Sequence, residues 1–166
     1  MKVKYLFLIA AIALQVTPHA FAKDADVLAL RNVPSIKENP MIVKFTFGGL
    51  HRNAAGQVEM TESNKLRRSQ SDGFGWALKL SPSKQIRRWK EALYLPAAAA
   101  DWRTPPTGIR YEDEGRIAIR EGLLDENEEI LSRLWSISAS DVAGSYRLAI
   151  FLEGEAIKIV NFTLAP

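Results

Sequence analysis

Cysteine is absent from all 166 residues, and that single absence removes several chemistries together. The chain can form no disulfide, bind no metal through thiolate, offer no thiol nucleophile and carry no lipid on a cysteine. Histidine is nearly as scarce: only His19 and His51 occur, so a histidine-rich zinc site is excluded. His51 follows Gly48-Gly49-Leu50 and reads as a solvated side chain in a turn. Long apolar runs are missing too. The run from Leu6 to Leu14 is far shorter than the roughly 20 residues needed to cross a bilayer, and none of that length follows it. Nor does one sign of charge dominate. Of 22 basic and 19 acidic residues, Lys2 and Lys4 lie ahead of the apolar run, which leaves a net charge of +1 beyond it. Arg67-Arg68 and Arg87-Arg88 are balanced by Glu112 to Glu114 and Asp125 to Glu129, so no basic face for nucleic acid is expected.

What is present begins with a leader. Lys2 and Lys4, the apolar run, Pro18 and the small-residue pattern Ala20-Phe21-Ala22 stand in the order of a cleavable secretory signal. Cleavage after Ala22 is the expectation, with residues 23–166 forming one domain in the periplasm or the secreted fraction, without a transmembrane segment. A domain of that size can bury most of its apolar surface without metal or disulfide staples. Export without disulfides fits a bacterial envelope.

Beyond an amino-terminal arm broken by Pro34 and Pro40, the pattern is that of strands. Met41 to Phe47 is β-branched and aromatic with Val43, Phe45 and Phe47 on one face, and Gly48-Gly49 is expected to end it. Val58 to Ser69 suits an edge strand or a long loop. Phe74 to Leu80 alternates strictly, as a core strand does, and Ile86 to Leu95 places Trp89, Leu93 and Leu95 together. Pro96 to Pro106 reads as an irregular connection with one helical turn through Ala97 to Ala100. A short strand runs through Ile117 and Ile119. Leu131 to Ser138 is a further strand in one reading; in the other, Asp125 and Glu128 form a capping box that opens a short helix. Ser145 to Glu153 and Ala156 to Leu164 form a hairpin about Gly154.

The stretch Trp135 to Leu164 carries a resemblance. Asp141 and then Gly144-Ser145-Tyr146 precede a hairpin that ends in an aromatic residue, and this resembles the closing strands of bacterial exported immunoglobulin-like domains of uncharacterised function. The spacing from Asp141 to Tyr146 is one residue longer than the usual immunoglobulin pattern, and the disulfide cysteines are lacking. The resemblance implies an all-β, immunoglobulin-like sandwich of about seven strands, with Tyr146 packed inside and its hydroxyl bonded back to the corner. It implies no activity.

Candidate chemistry is sparse. Ser81-Pro82-Ser83-Lys84 matches the serine-x-x-lysine string of penicillin-binding enzymes, but the companion strings are missing and Pro82 belongs to a turn. Asp125 to Glu129 has the acid density of a calcium loop but lacks its glycine and its twelfth-position acid. Glu112 and Glu114 would serve a glycosidase only at a fixed separation across a cleft. Trp76, Trp89 and Trp135 fall on core faces, whereas Trp102 lies in a proline-flanked loop between Asp101 and Arg103. These observations lead to the expectation of a non-catalytic binding module of the cell envelope, without a cofactor or metal. Asp101, Trp102, Arg103, Arg87 and Arg88 are its candidate contacts. The expected partner is another envelope or periplasmic protein, met as an assembly partner or as the target of an inhibitor or immunity factor; a carbohydrate ligand is the other alternative.

Overall fold

The computed structural model describes residues 41–98 and 107–166. Ten strands are present among them: β1 Ile42–Arg52, β2 Val58–Glu62, β3 Lys65–Arg67, β4 Gly73–Leu80, β5 Arg87–Tyr94, β6 Ile109–Glu112, β7 Ile117–Leu124, β8 Ile130–Ser136, β9 Gly144–Leu152 and β10 Glu155–Ala165. They form a four-stranded sheet in the order β2-β1-β4-β8 and a six-stranded sheet in the order β3-β10-β9-β5-β7-β6. All pairs are antiparallel except β3 with β10. The expected sandwich is therefore present, with more strands than the seven expected, because β2, β3 and β6 are short pieces with weak alternation.

The core follows from period two. On β4, Phe74, Trp76, Leu78 and Leu80 point inward and are buried. They meet Tyr146, Leu148, Ile150 and Leu152 of β9 and Phe162 and Leu164 of β10 in one cluster. Phe162 lies at its centre, with ring centroids 5.0 Å from Phe47, 4.9 Å from Phe74 and 5.1 Å from Tyr146, separations typical of favourable aromatic pairs. In the middle of the six-stranded sheet both faces are buried, so Leu148 to Leu152 is a continuous apolar run rather than an alternation.

Three departures from the sequence reading have physical causes. Gly48-Gly49 does not end β1, which continues to Arg52. A Cβ on Gly48 would stand 2.1 Å from the Thr61 carbonyl oxygen of β2, so glycine there permits close pairing instead of stopping the strand. His51 accordingly sits in β1, 3.8 Å from Glu59 across the ladder, and not in a turn. Val43 leaves the core face because the β1–β4 register shifts between Ile42 and Lys44, and it is 60% exposed.

The hairpin of β9 and β10 turns through Glu153 (φ 51°) and Gly154 (φ 84°). Two left-handed residues are what the twist-matched two-residue turn requires. The Glu153 carboxylate accepts from the Arg88 backbone N–H, and its own N–H donates to the Arg88 carbonyl. A bulge between Ala156 and Lys158 then turns Ile157 into the core together with Val160. At the opposite corner the Tyr146 hydroxyl donates to the Val142 carbonyl at 2.6 Å, as the resemblance implied. Burial first, and then the Asp141 charge, push that phenol up to about 12, with Arg68 acting the other way.

Candidate binding edge at strand β8

The side chains that carry chemistry are concentrated between β5, β7 and β8. By strand parity Glu91 belongs to the same face of β5 as Trp89 and Leu93, and the structure buries it completely. A carboxylate inside a sandwich is tolerable only when it is paired and hydrogen-bonded. One Glu91 oxygen accepts from the indole N–H of Trp76 at 2.6 Å and of Trp135 at 3.4 Å. The other accepts from Arg120 Nε of β7. Arg120 then spans the sheets, both terminal nitrogens donating to the Leu134 carbonyl at 3.2 and 3.3 Å, with its guanidinium 4.3 Å from the Trp135 ring centroid. Glu91 stands between Trp89 and Leu93 in the sequence, and its odd number on that odd-numbered core face was the available signal.

Beside this network a second arginine is stacked. Arg133 of β8 lies 3.9 Å over the Trp89 ring, and the same ring lies against Gly122, where a Cβ would stand 3.0 Å from the ring atoms. The Trp89 indole N–H donates to the Leu123 carbonyl at 3.3 Å. Arg133 Nη1 donates to the carbonyl of Ser132 at 2.6 Å, and among the described residues Arg133 has no ion pair. Burial pushes its guanidinium below the ordinary value; Glu91 raises it, Arg120 lowers it further and Glu128 raises it again.

On its other face the edge is apolar. Gly48, Gly75 and Leu134 stand in register across the four-stranded sheet, with Gly73 and Ser136 in the next row. Over Gly75, where a Cβ would stand, Leu134 Cδ2 lies 2.7 Å and Met60 Cε 3.3 Å away, so the two side chains close over a glycine floor. Leu134 and Ile130 are nevertheless half exposed, at 50% and 54%.

The other candidates are placed as follows. Asp101, Trp102 and Arg103 lie outside the described residues, as do the leader and residues 99 and 100 of the alanine run. Arg87 and Arg88 point to opposite faces of β5. Arg87 is buried, donating to the carbonyls of Ser81 at 3.3 Å and Glu128 at 2.9 Å, and so ties two loops together; Arg88 is exposed. Ser81 to Lys84 is a loop without helix. Asp125 to Glu129 makes a turn with Asn127 left-handed, followed by a strand. The capping-box pair does form, the Asp125 N–H donating to the Glu128 carboxylate at 3.2 Å, but no helix follows it. Glu112 is held by Arg110 at 3.2 Å, and Glu114 stands in a left-handed turn. The described residues contain no group of three or more His, Cys, Asp or Glu able to hold a metal ion, and no helix long and apolar enough to cross a membrane.

Among solved structures, the chain is similar to an immunoglobulin-like protein from Pseudomonas aeruginosa, at 10% identity and a TM-score of 0.46 over 75% of this chain and 94% of that one. It is also similar to the Pseudomonas fluorescens alkylpurine DNA glycosylase AlkC bound to DNA containing an abasic site analogue, at 11% identity and a TM-score of 0.33 over 74% of this chain and 30% of that one. No curated protein matches it. Residues 45–165, from Phe45 in β1 to the end of β10, match the PM0630 beta sandwich domain, and the chain belongs to that family.

Proposed function

We propose that the chain is an exported, non-catalytic binding module of the cell envelope that recognises another protein through the edge formed by β8. The observation that supports this is the exposure of Leu134 and Ile130 beside the flat glycine-floored face of the four-stranded sheet. Apolar side chains exposed at two positions along one face of an edge strand suit a protein contact. The carboxylate between the sheets behind that surface is engaged in structure: Glu91 with two indoles and Arg120, and Arg120 with Glu91 and a carbonyl. Export rests on the order of charge, apolar run and small residues at 1–22. The loop Asp101, Trp102 and Arg103 and the exposed Arg88 are proposed as secondary contacts.

The test is affinity capture from envelope extract on the immobilised chain, beside a Leu134→Asp, Ile130→Asp version and a Trp102→Ala version. The expected result is one protein retained stoichiometrically by the parent and lost with the β8 double substitution. Retention of the same protein by all three versions would remove both surfaces from the proposal.

A further inference from the structure

The backbone of β8 alternates in the direction it faces. Glu129 and Ile137 bond across to Leu80 and Asp72, so the odd-numbered residues turn their peptide groups toward β4 and the even-numbered ones turn theirs to the free edge. Both kinds of group on a free edge would ordinarily invite another strand. In the middle of the strand the acceptors are covered, the Leu134 carbonyl by Arg120 and the Ser132 carbonyl by Arg133, whereas the edge-facing carbonyls of Ile130 and Ser136 at its ends have no donor among the described residues. The N–H groups of Ser132 and Leu134 have no acceptor among the described residues. The edge therefore presents donors and positive charge. Arg133 adds a guanidinium held flat against Trp89, with no carboxylate paired to it and further N–H groups without an acceptor among the described residues.

We infer that the β8 edge binds a carboxylate side chain in an extended apolar segment of the partner protein, with Arg133 as the anchor; the inference rests on the binding-module reading above. A carboxylate offers acceptors and negative charge and no donor, so it matches the middle of an edge whose carbonyls at Ser132 and Leu134 are occupied, where a strand of ordinary backbone would bring N–H groups with nothing to bond. An arginine held by stacking loses less freedom on forming a two-pronged bond than a free side chain does. Leu134 and Ile130, exposed at positions i+1 and i−3 from Arg133, would receive the apolar neighbours of the acid.

The test is a nuclear magnetic resonance titration of the isotope-labelled full chain with the capped tripeptide acetyl-Leu-Glu-Leu-amide and with its glutamine counterpart. The expected result is saturable shifts at the Ser132 and Leu134 amides and the Arg133 Nε–H, with the glutamine peptide binding about tenfold more weakly or worse, the weight of one charged hydrogen-bonded pair. Arg133→Gln should reduce the glutamate peptide to the level of the glutamine peptide, and Arg133→Lys, which keeps the charge but not the planar fork, should lie between them. Thermal melts followed by circular dichroism verify that both variants fold, and the lysine form carries the test if the glutamine form does not. Equal affinity for the two peptides, shifts confined to other strands, no shifts at all, or binding untouched by the substitutions would each overturn the inference. A partner captured from extract beside a flat titration would leave the binding-module reading standing and sink this one; a titration that works with no captured partner would do the reverse.

Discussion

The two edges of the four-stranded sheet solve one problem in different ways. β2 is short and fringed with charge: Glu59 and Glu62 are exposed, and Glu59 reaches His51 and Asn53. Such an edge deters pairing by cost of desolvation. β8 is longer, with apolar Ile130 and Leu134 half exposed, and arginines occupy the two edge-facing carbonyls at its middle, those of Ser132 and Leu134. The first device protects the sheet cheaply and is indifferent to what comes near. The second leaves open donors beside covered carbonyls at the middle of the strand, the combination on which the proposed carboxylate contact depends.

The largest effect should come from the buried carboxylate behind the β8 edge. Glu91→Ala leaves Arg120 without its carboxylate and two indole N–H groups without acceptors, and should lower stability by about 3–5 kcal/mol in urea unfolding. Arg120→Ala should cost somewhat less, about 2–4 kcal/mol, because Glu91 retains its indole donors. It also frees the Leu134 carbonyl, so light scattering should show association that Glu62→Ala on the β2 edge does not produce.

The glycines sharpen the comparison. Gly48→Ala forces a Cβ against the Thr61 carbonyl of β2, which cannot yield without moving the strand, and should cost about 1–3 kcal/mol. Gly75→Ala meets first the flexible end of Leu134, so its thermal shift should be smaller. If the two are equal, β2 is less tightly seated than its register indicates.

The smallest expected effect lies away from both edges. Tyr146→Phe removes the bond to Val142 and should cost about 1 kcal/mol. The folded phenol is pushed up to about 12 from an ordinary value near 10, so the folded state favours its neutral form. Its contribution is complete below pH 10 and is lost as pH rises toward 12. Unfolding measured across that window should show a decline in the parent that is reduced in Tyr146→Phe.

Much of the fold was legible because period two survives where one face is wet. Phe74 to Leu80 lies where the alternation places it, and the β9–β10 hairpin turns at Gly154 as its turn residues indicate. Alternation failed as a guide where a bulge inserts a residue, at Val43 and Ile157, and where glycine serves close packing instead of a turn, at Gly48. The site was less legible. Arg87 carries the same charge as Arg88 yet ties loops together from within, and nothing in the dipeptide distinguishes them until the parity of β5 is known. The importance of Arg120 and Arg133 depends on which carbonyls point outward from β8, a property of sheet order that no local pattern contains.

The parallel pairing of β3 with β10 has a consequence for how the chain acquires its fold. Lys65 to Arg67 find their partners only in Thr163 to Ala165, and β10 also closes the core through Phe162 and Leu164. The six-stranded sheet therefore cannot be completed step by step from the amino-terminal side: β3 must wait, unpaired, until nearly the whole described sequence has been made. Long waits of this kind belong to slow folding dominated by distant pairings. They also keep the nascent chain open until its last strand arrives.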